Sequence, residues 1–381
     1  MDIHKTMSFN FIVLAAILVF SLLVLSGISQ GAGEAILSRL PTISQGTTTV
    51  PSNGDVNPYG VARVPRTIGK LKAGHILISN FNNSSNLQGT GTTIVDVSPD
   101  DQSVRLFAKL DAGTLPGPCP GGVGLTTALA VLRHGWVIVG SLPTSDGTSA
   151  TAQAGCLIAL DSMGNPVETI SGPMINGPWD MTVREGSGEA MLFISNVLNG
   201  TVAGGGQIVN QGTIVRINLK TTEESMPQVE SMTIIGSGFA ERTDPAALVI
   251  GPTGLGLSSK GVGKQPDVLY VADSLNNQIV RINDPLNRET SDSTGKTFSS
   301  GGSLNDPLGL IVVPNGHILT VNGTDGFITE IDPNGNQIFK KLLDNTGGPP
   351  PGNGTLFGLA FDPSRGLFFV DDGSNTLNLL H

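Results

Sequence analysis

Basic residues are scarce in this chain: 21 Lys and Arg stand against 31 Asp and Glu, giving a formal net charge of −10 and a pI near 4.9. Nucleic acid is excluded as a partner on this ground, because its phosphates would meet no compensating basic stripe. The same balance disfavours an anionic membrane surface. Charge of either sign is sparse at 14%, which argues against long solvated helices. Cysteine is limited to Cys119 and Cys156. A single bridge between them, in an oxidising compartment, and two free thiols both remain open. Aromatics are few, with two Trp and two Tyr.

A long membrane-spanning run is also missing. His4 and Lys5 precede an apolar stretch from Phe11 to Leu25 that breaks into Ser26, Gly27, Ser29 and Gly31. That stretch falls short of the ~20 residues a spanning helix needs, so residues 1–33 read as a cleaved secretory signal, with a signal anchor as the alternative. Export to a secreted or periplasmic location follows. No cysteine follows the leader to carry a lipid. Gly27-Ile28-Ser29-Gln30-Gly31 matches a serine-hydrolase pattern, but it sits at the leader boundary, where the strand-turn-helix that chemistry requires is not expected.

Glycine and proline are abundant, 51 and 24. They imply short apolar segments joined by tight turns, an all-β arrangement. Three patterns recur six times in the same order. The first is a turn entering a strand, as in Asn57-Pro58-Tyr59-Gly60, Gly177-Pro178-Trp179-Asp180, Gly251-Pro252-Thr253-Gly254 and Asp306-Pro307-Leu308-Gly309. The second is an apolar strand with a polar end: "HILISN" to Asn80, "WVIVGS" to Ser141, "LFISN" to Asn196, "LYVAD" to Asp273, "ILTVN" to Asn322 and "LFFVDD" to Asp372. The third is a strand of alternating character, from "TTIVDV" to "TLNLL", expected to lie nearer solvent.

Six copies predict a six-bladed β-propeller over residues 57–381. The chain stops after the third strand of its last repeat, leaving an open edge. Residues 34–56 therefore read as the segment that closes the last blade, through β-prone sequence between about Ile36 and Val50.

Pro-x-Gly-Leu followed by "LYVADSLNNQIVRI" at 269–282 resembles the NHL-repeat family over roughly residues 57–381. The resemblance implies the fold more than any activity. More distantly the chain is similar to propeller lactonases and phosphotriesterases of the regucalcin and paraoxonase type, a similarity that implies calcium held in the channel by several carboxylate and amide oxygens. Here the strand-entry positions read Tyr59, Leu125, Trp179, Thr253, Leu308 and Phe357, with Asp180 as the lone carboxylate, a set too poor to cage a hard cation. His75, His134 and His317 fall at equivalent turns and diverge around the ring, so no zinc site like that of related propeller lyases is expected. No metal or other cofactor is assigned.

Function is expected on the face that carries the strand-entry turns. The loops at 81–92, 142–154 and 197–211 are long there, and Cys119 and Cys156 lie beside one of them. Neutral insertion explains such loops equally well. Tyr59, Trp179 and Phe357 could rim the channel mouth as a ligand platform, or simply pack between blades. The leading expectation is a monomeric binding or interaction module for a protein or carbohydrate partner. The alternative is a channel-mouth enzyme acting on a small ester, lactone or sugar derivative, with Asp180 as the first catalytic candidate.

Overall fold

The repeats' apolar segments need no helix to connect them, and among the described residues the one α-helix is Thr201–Gly204. The computed structural model describes residues 33–44, 46–258 and 267–381. The expected leader lies outside them, apart from Gly33. Glu34–His381 form one unit of six antiparallel sheets. In blade one the order from the inside outward is Val56–Arg63, Ile76–Asn82, Thr93–Val97 and Val104–Lys109. The other innermost strands are Leu125–Val131, Pro178–Glu185, Pro252–Leu257, Pro307–Val312 and Leu356–Asp362. Each touches the innermost strand of the next blade, and the sixth touches the first, so the ring is closed.

The closing strand comes from the N-terminal segment, as expected. Thr47–Thr48 pairs antiparallel with Thr376 and Leu377. The N–H groups of Thr42 and Ser44 donate to the carbonyls of His381 and Leu379 at 3.0 and 2.8 Å. The buried carboxylate of Glu330 in blade five accepts the N–H groups of Ile36 and Leu37, at 2.8 and 2.9 Å, which fastens the same segment to a second blade. One edge that would otherwise be open is thereby covered.

All six innermost strands carry a register shift just after entry, for example between Pro58 and Gly60, Pro178 and Met181, and Pro307 and Leu310. A bulge re-aims the side chains at its position and bends the strand towards the axis. The glycines there are required by crowding. A Cβ on Gly254 would lie 2.0 Å from the Leu308 carbonyl oxygen, one on Gly309 1.9 Å from that of Phe357, and one on Gly358 2.2 Å from that of Tyr59. Blades four, five and six thus press their bulges against the entry carbonyl of the next blade. Hydroxyls reinforce the seams: Ser79 Oγ accepts from Gly60 N and donates to the Thr126 carbonyl, while Ser195 Oγ accepts from Asp180 N and donates to that of Thr253.

Two expectations need correction. The third strands alternate only in part: in blade four Val280 and Ile282 are buried while Arg281 is half-buried and Asn283 exposed, but Thr93–Val97 and Cys156–Leu160 are buried throughout. Exposure is greater one strand further out, as in Val104–Lys109 and Gln337–Leu342, where the sheet reaches solvent. In blade two the entry lies later than Leu125. That residue pairs with Ser141 as Pro178 pairs with Asn196, and Leu129 answers to Met181, so the bulge holds one residue more. Blade three also departs from the plan, since its fourth strand, Gln228–Asp244, runs 17 residues and turns back into Leu248–Ile250.

Gly309→Ala should destabilise the fold by about 2 kcal/mol or more, the range for overpacking against fixed backbone. Gly113→Ala, whose Cβ would meet only Asp111 Oδ1 at 3.4 Å, should change it little. Urea unfolding of the two variants would check the contrast.

Candidate functional site in the central channel

The strand-entry aromatics do converge. Tyr59 stacks on Phe357 with ring centroids 3.9 Å apart, and Trp179 meets Tyr59 edge-on at 5.5 Å. A fourth ring, Phe81, stacks on Tyr59 at 4.5 Å and approaches Trp179 at 6.0 Å. The rings face each other: Tyr59, Trp179 and Phe357 are 3%, 4% and 8% exposed and Phe81 is fully buried. They therefore close this end of the channel as a packed plug. Burial also holds the Tyr59 hydroxyl far above its ordinary pKa, keeping it protonated. Phe81 was not singled out in the sequence, although it directly follows the polar end of the second strand at Asn80, on the same face as the entry turns.

The three long loops pack on one another above this plug. Thr144 N donates to the Gly89 carbonyl at 2.9 Å, Gly155 N to that of Asn176 at 2.8 Å, and Gln88 Nε2 to that of Ala246 at 2.8 Å. The extended outer hairpin of blade three joins them, with Asn199 N donating to buried Glu241. Cys119 and Cys156 are bridged, Cα atoms 5.2 Å apart, which ties the loop entering blade two to its third strand.

Asp180 occupies the bulge position that glycine fills in blades one, four, five and six. Its side chain reaches across the seam, with Oδ2 2.8 Å from the N–H of Leu255 in blade four. At 8% exposure it is, among the described residues, the only ionisable side chain lining a cavity of about 90 Å³ in the channel. Desolvation pushes its carboxyl up to about 7, and the hydrogen bonds from the backbone of Leu255 and Met181 only partly offset this. The remaining walls are Val61, Leu129, Met181, Leu255, Leu310 and Leu359, with Thr127 and Thr182 as the polar additions.

The backbone supplies more polarity than the side chains. Val64 N donates outward to the His75 carbonyl, Leu132 N to Trp136, Gly186 N to Glu189, Ser258 N to Val268 and Val313 N to His317. Because direction alternates along a strand, the N–H and C=O groups of Val61, Leu129, Met181, Leu255 and Leu310 turn the other way, towards the channel. Asp180 uses the Leu255 and Met181 donors; the others stand around the cavity at the same level.

Calcium, implied by the lactonase resemblance, does not fit this set. One Asp180 oxygen is already hydrogen-bonded, the neighbouring side chains are aliphatic, and a hard cation wants six to eight oxygens. Among the described residues no three His, Cys, Asp or Glu side chains gather as metal ligands. The polar second-strand ends tie turns: Asp273 accepts from Asn276 and Gln278, Asp371 from Ser374 N, and Asn322 donates to the Ser303 carbonyl. His75 and His317 pair with Asp96 and Glu330 in separate blades.

No protein-family model matches the chain, and no curated protein matches it. Solved structures do. A gluconolactonase from Xanthomonas campestris is 15% identical, with 85% of this chain and 86% of that one covered at a TM-score of 0.51. A putative gluconolactonase is 16% identical, covering 86% and 89% at 0.50. A luciferin-regenerating enzyme is 10% identical, covering 87% and 88% at 0.52. These gluconolactonase-like six-bladed propellers share the fold. At such identity the likeness itself extends to the fold; the leading expectation of a binding or interaction module is contradicted by these neighbours, which carry the names of enzymes. The loop face agrees, because its long loops are spent on one another.

A carboxyl whose folded pKa lies above its unfolded value stabilises the protein below pH ~4 and loses that contribution as pH rises to about 7. The Asp180→Asn protein should lack this slope and be the more stable of the two at pH 8, by up to about 4 kcal/mol for a shift of roughly three units. Urea unfolding at pH 5 and pH 8 would measure the difference, and equal slopes would show that Asp180 is ionised throughout.

Proposed function

We propose that this protein is a channel-centred hydrolase of small uncharged esters, lactones or sugar derivatives, with Asp180 as its acid–base group. The observation that carries the reading is a single buried carboxyl, tuned to about 7, at a position where the channel otherwise admits only glycine or threonine. A group with a pKa near the working pH serves best in proton transfer. The likeness to gluconolactonases supports the fold on which such chemistry is run. We read the blades as NHL-type repeats on their Pro-x-Gly and strand motifs, and the protein as exported, a reading that the Cys119–Cys156 bridge supports.

The chemistry follows from the geometry. Ionised Asp180 accepts a proton from a water molecule as its oxygen attacks the substrate carbonyl. The electron pair of the C=O moves onto oxygen, where channel-facing N–H groups such as that of Val61 are placed to donate. Collapse of the tetrahedral species breaks the bond to the leaving alkoxide, and the proton on Asp180 passes to it. The carboxylate is thereby regenerated, and acid and alcohol leave, or one hydroxy acid from a lactone. The Leu255 N–H holds Oδ2 and so fixes the orientation of the carboxylate.

Proton release from a panel of small lactones, with para-nitrophenyl acetate as a general ester, would test this. Activity should rise with pH through about 7, as the base ionises. Asp180→Asn should lower kcat/KM by about 100-fold or more, the range for loss of a general base. A panel without turnover, or turnover indifferent to Asp180→Asn, would remove the assignment.

A further inference from the structure

Exposure rises towards the far end of the innermost strands of blades three, four and five, while that of blade two, Leu125–Val131, is buried throughout. At the entry end, Pro178, Trp179 and Asp180 are buried; further on, Thr182, Val183 and Arg184 are half-buried. Blade five repeats this, with Pro307–Leu310 buried and Ile311 and Val312 half-buried. In blades four and six the change comes at Leu257 and Phe361. Of the residues lining the cavity, the two half-buried ones, Thr182 and Ile311, lie on the exit side of Asp180. The entry side is stopped by the ring stack and the interlocked loops.

We infer that the channel is loaded from the face on which the innermost strands end, opposite the long loops, and that Thr182 and Ile311 mark the entrance. This rests on the reading of Asp180 as the reactive group and reverses the face on which the sequence places function. The entrance chemistry also limits what passes. Ile311 gives it an apolar wall, and Leu257, Val312 and Phe361, half-buried towards the same strand ends, pack against the cores between blades. Its arginines are already matched to carboxylates, Arg63 Nε 2.6 Å from Asp362 Oδ2 and Arg184 Nη1 3.6 Å from Asp267 Oδ1. A small, uncharged ligand with an apolar body passes such a wall at least desolvation cost, whereas a carboxylate meets no cation among the cavity-lining side chains and faces Asp180 besides.

Thiol labelling tests the route without reading turnover. The native protein has no free cysteine, so Asp180→Cys places a single thiol on the cavity wall. Neutral methyl methanethiosulfonate should convert it to a mixed disulfide, followed by mass spectrometry. Adding Thr182→Trp should slow this at least tenfold, while adding Leu87→Trp, at an exposed position on the loop face, should leave it within twofold. An unchanged rate with Thr182→Trp, or one slowed by Leu87→Trp, overturns the route. If Asp180→Cys does not fold, Thr182→Cys must itself react with the same reagent, and an inert thiol there overturns the inference. None of these results depends on whether Asp180 performs hydrolysis.

Discussion

The close approach of neighbouring bulges governs this molecule. Six strands converge on one axis, and those of blades four, five and six must each bring a Cα to within contact of the next blade's entry carbonyl. A side chain at that point collides with backbone, which cannot yield as a flexible side chain would. Glycine is therefore the default in four of the six blades, and the seams can be sealed by short hydroxyl bridges such as those of Ser79 and Ser195. Blades cannot bury their faces alone, so the seams transmit this packing around the ring, and the N-terminal segment on Glu330 and the last blade completes it.

Set against that constraint, Asp180 is an exception with a consequence. A carboxyl placed where glycine belongs is forced into the channel wall, loses most of its water, and finds only the backbone donors of Leu255 and Met181 in exchange. That is too little to keep it an ordinary aspartate, so its proton is held to about neutral pH. The aliphatic walls that cause the shift are the same ones that deny the site a metal-ligand set. One packing rule and one departure from it thus yield both the electrostatics and the selectivity of the cavity.

The plug and the loop face show why half of the site escaped a linear reading. Tyr59, Trp179 and Phe357 are recognisable because they fall at one position of a repeat. Whether rings at that position form an open rim or a closed stack depends on the channel's width, and on Phe81, which comes from a different strand of blade one. The long loops looked available because they are polar and irregular. Their hydrogen bonds run to each other and to the blade-three hairpin, partners up to 158 residues away in sequence.

Repeat count, strand order, the need for a closing strand and the singularity of Asp180 were all determined by the sequence itself, because each is a local pattern recurring at fixed spacing. The depth of the third strands, the bulge offset in blade two, the sealed entry and the graded exit were decided only by tertiary structure. Those properties depend on how far apart six convergent strands finally stand, a distance set by side chains and carbonyls from neighbouring blades that no single repeat contains.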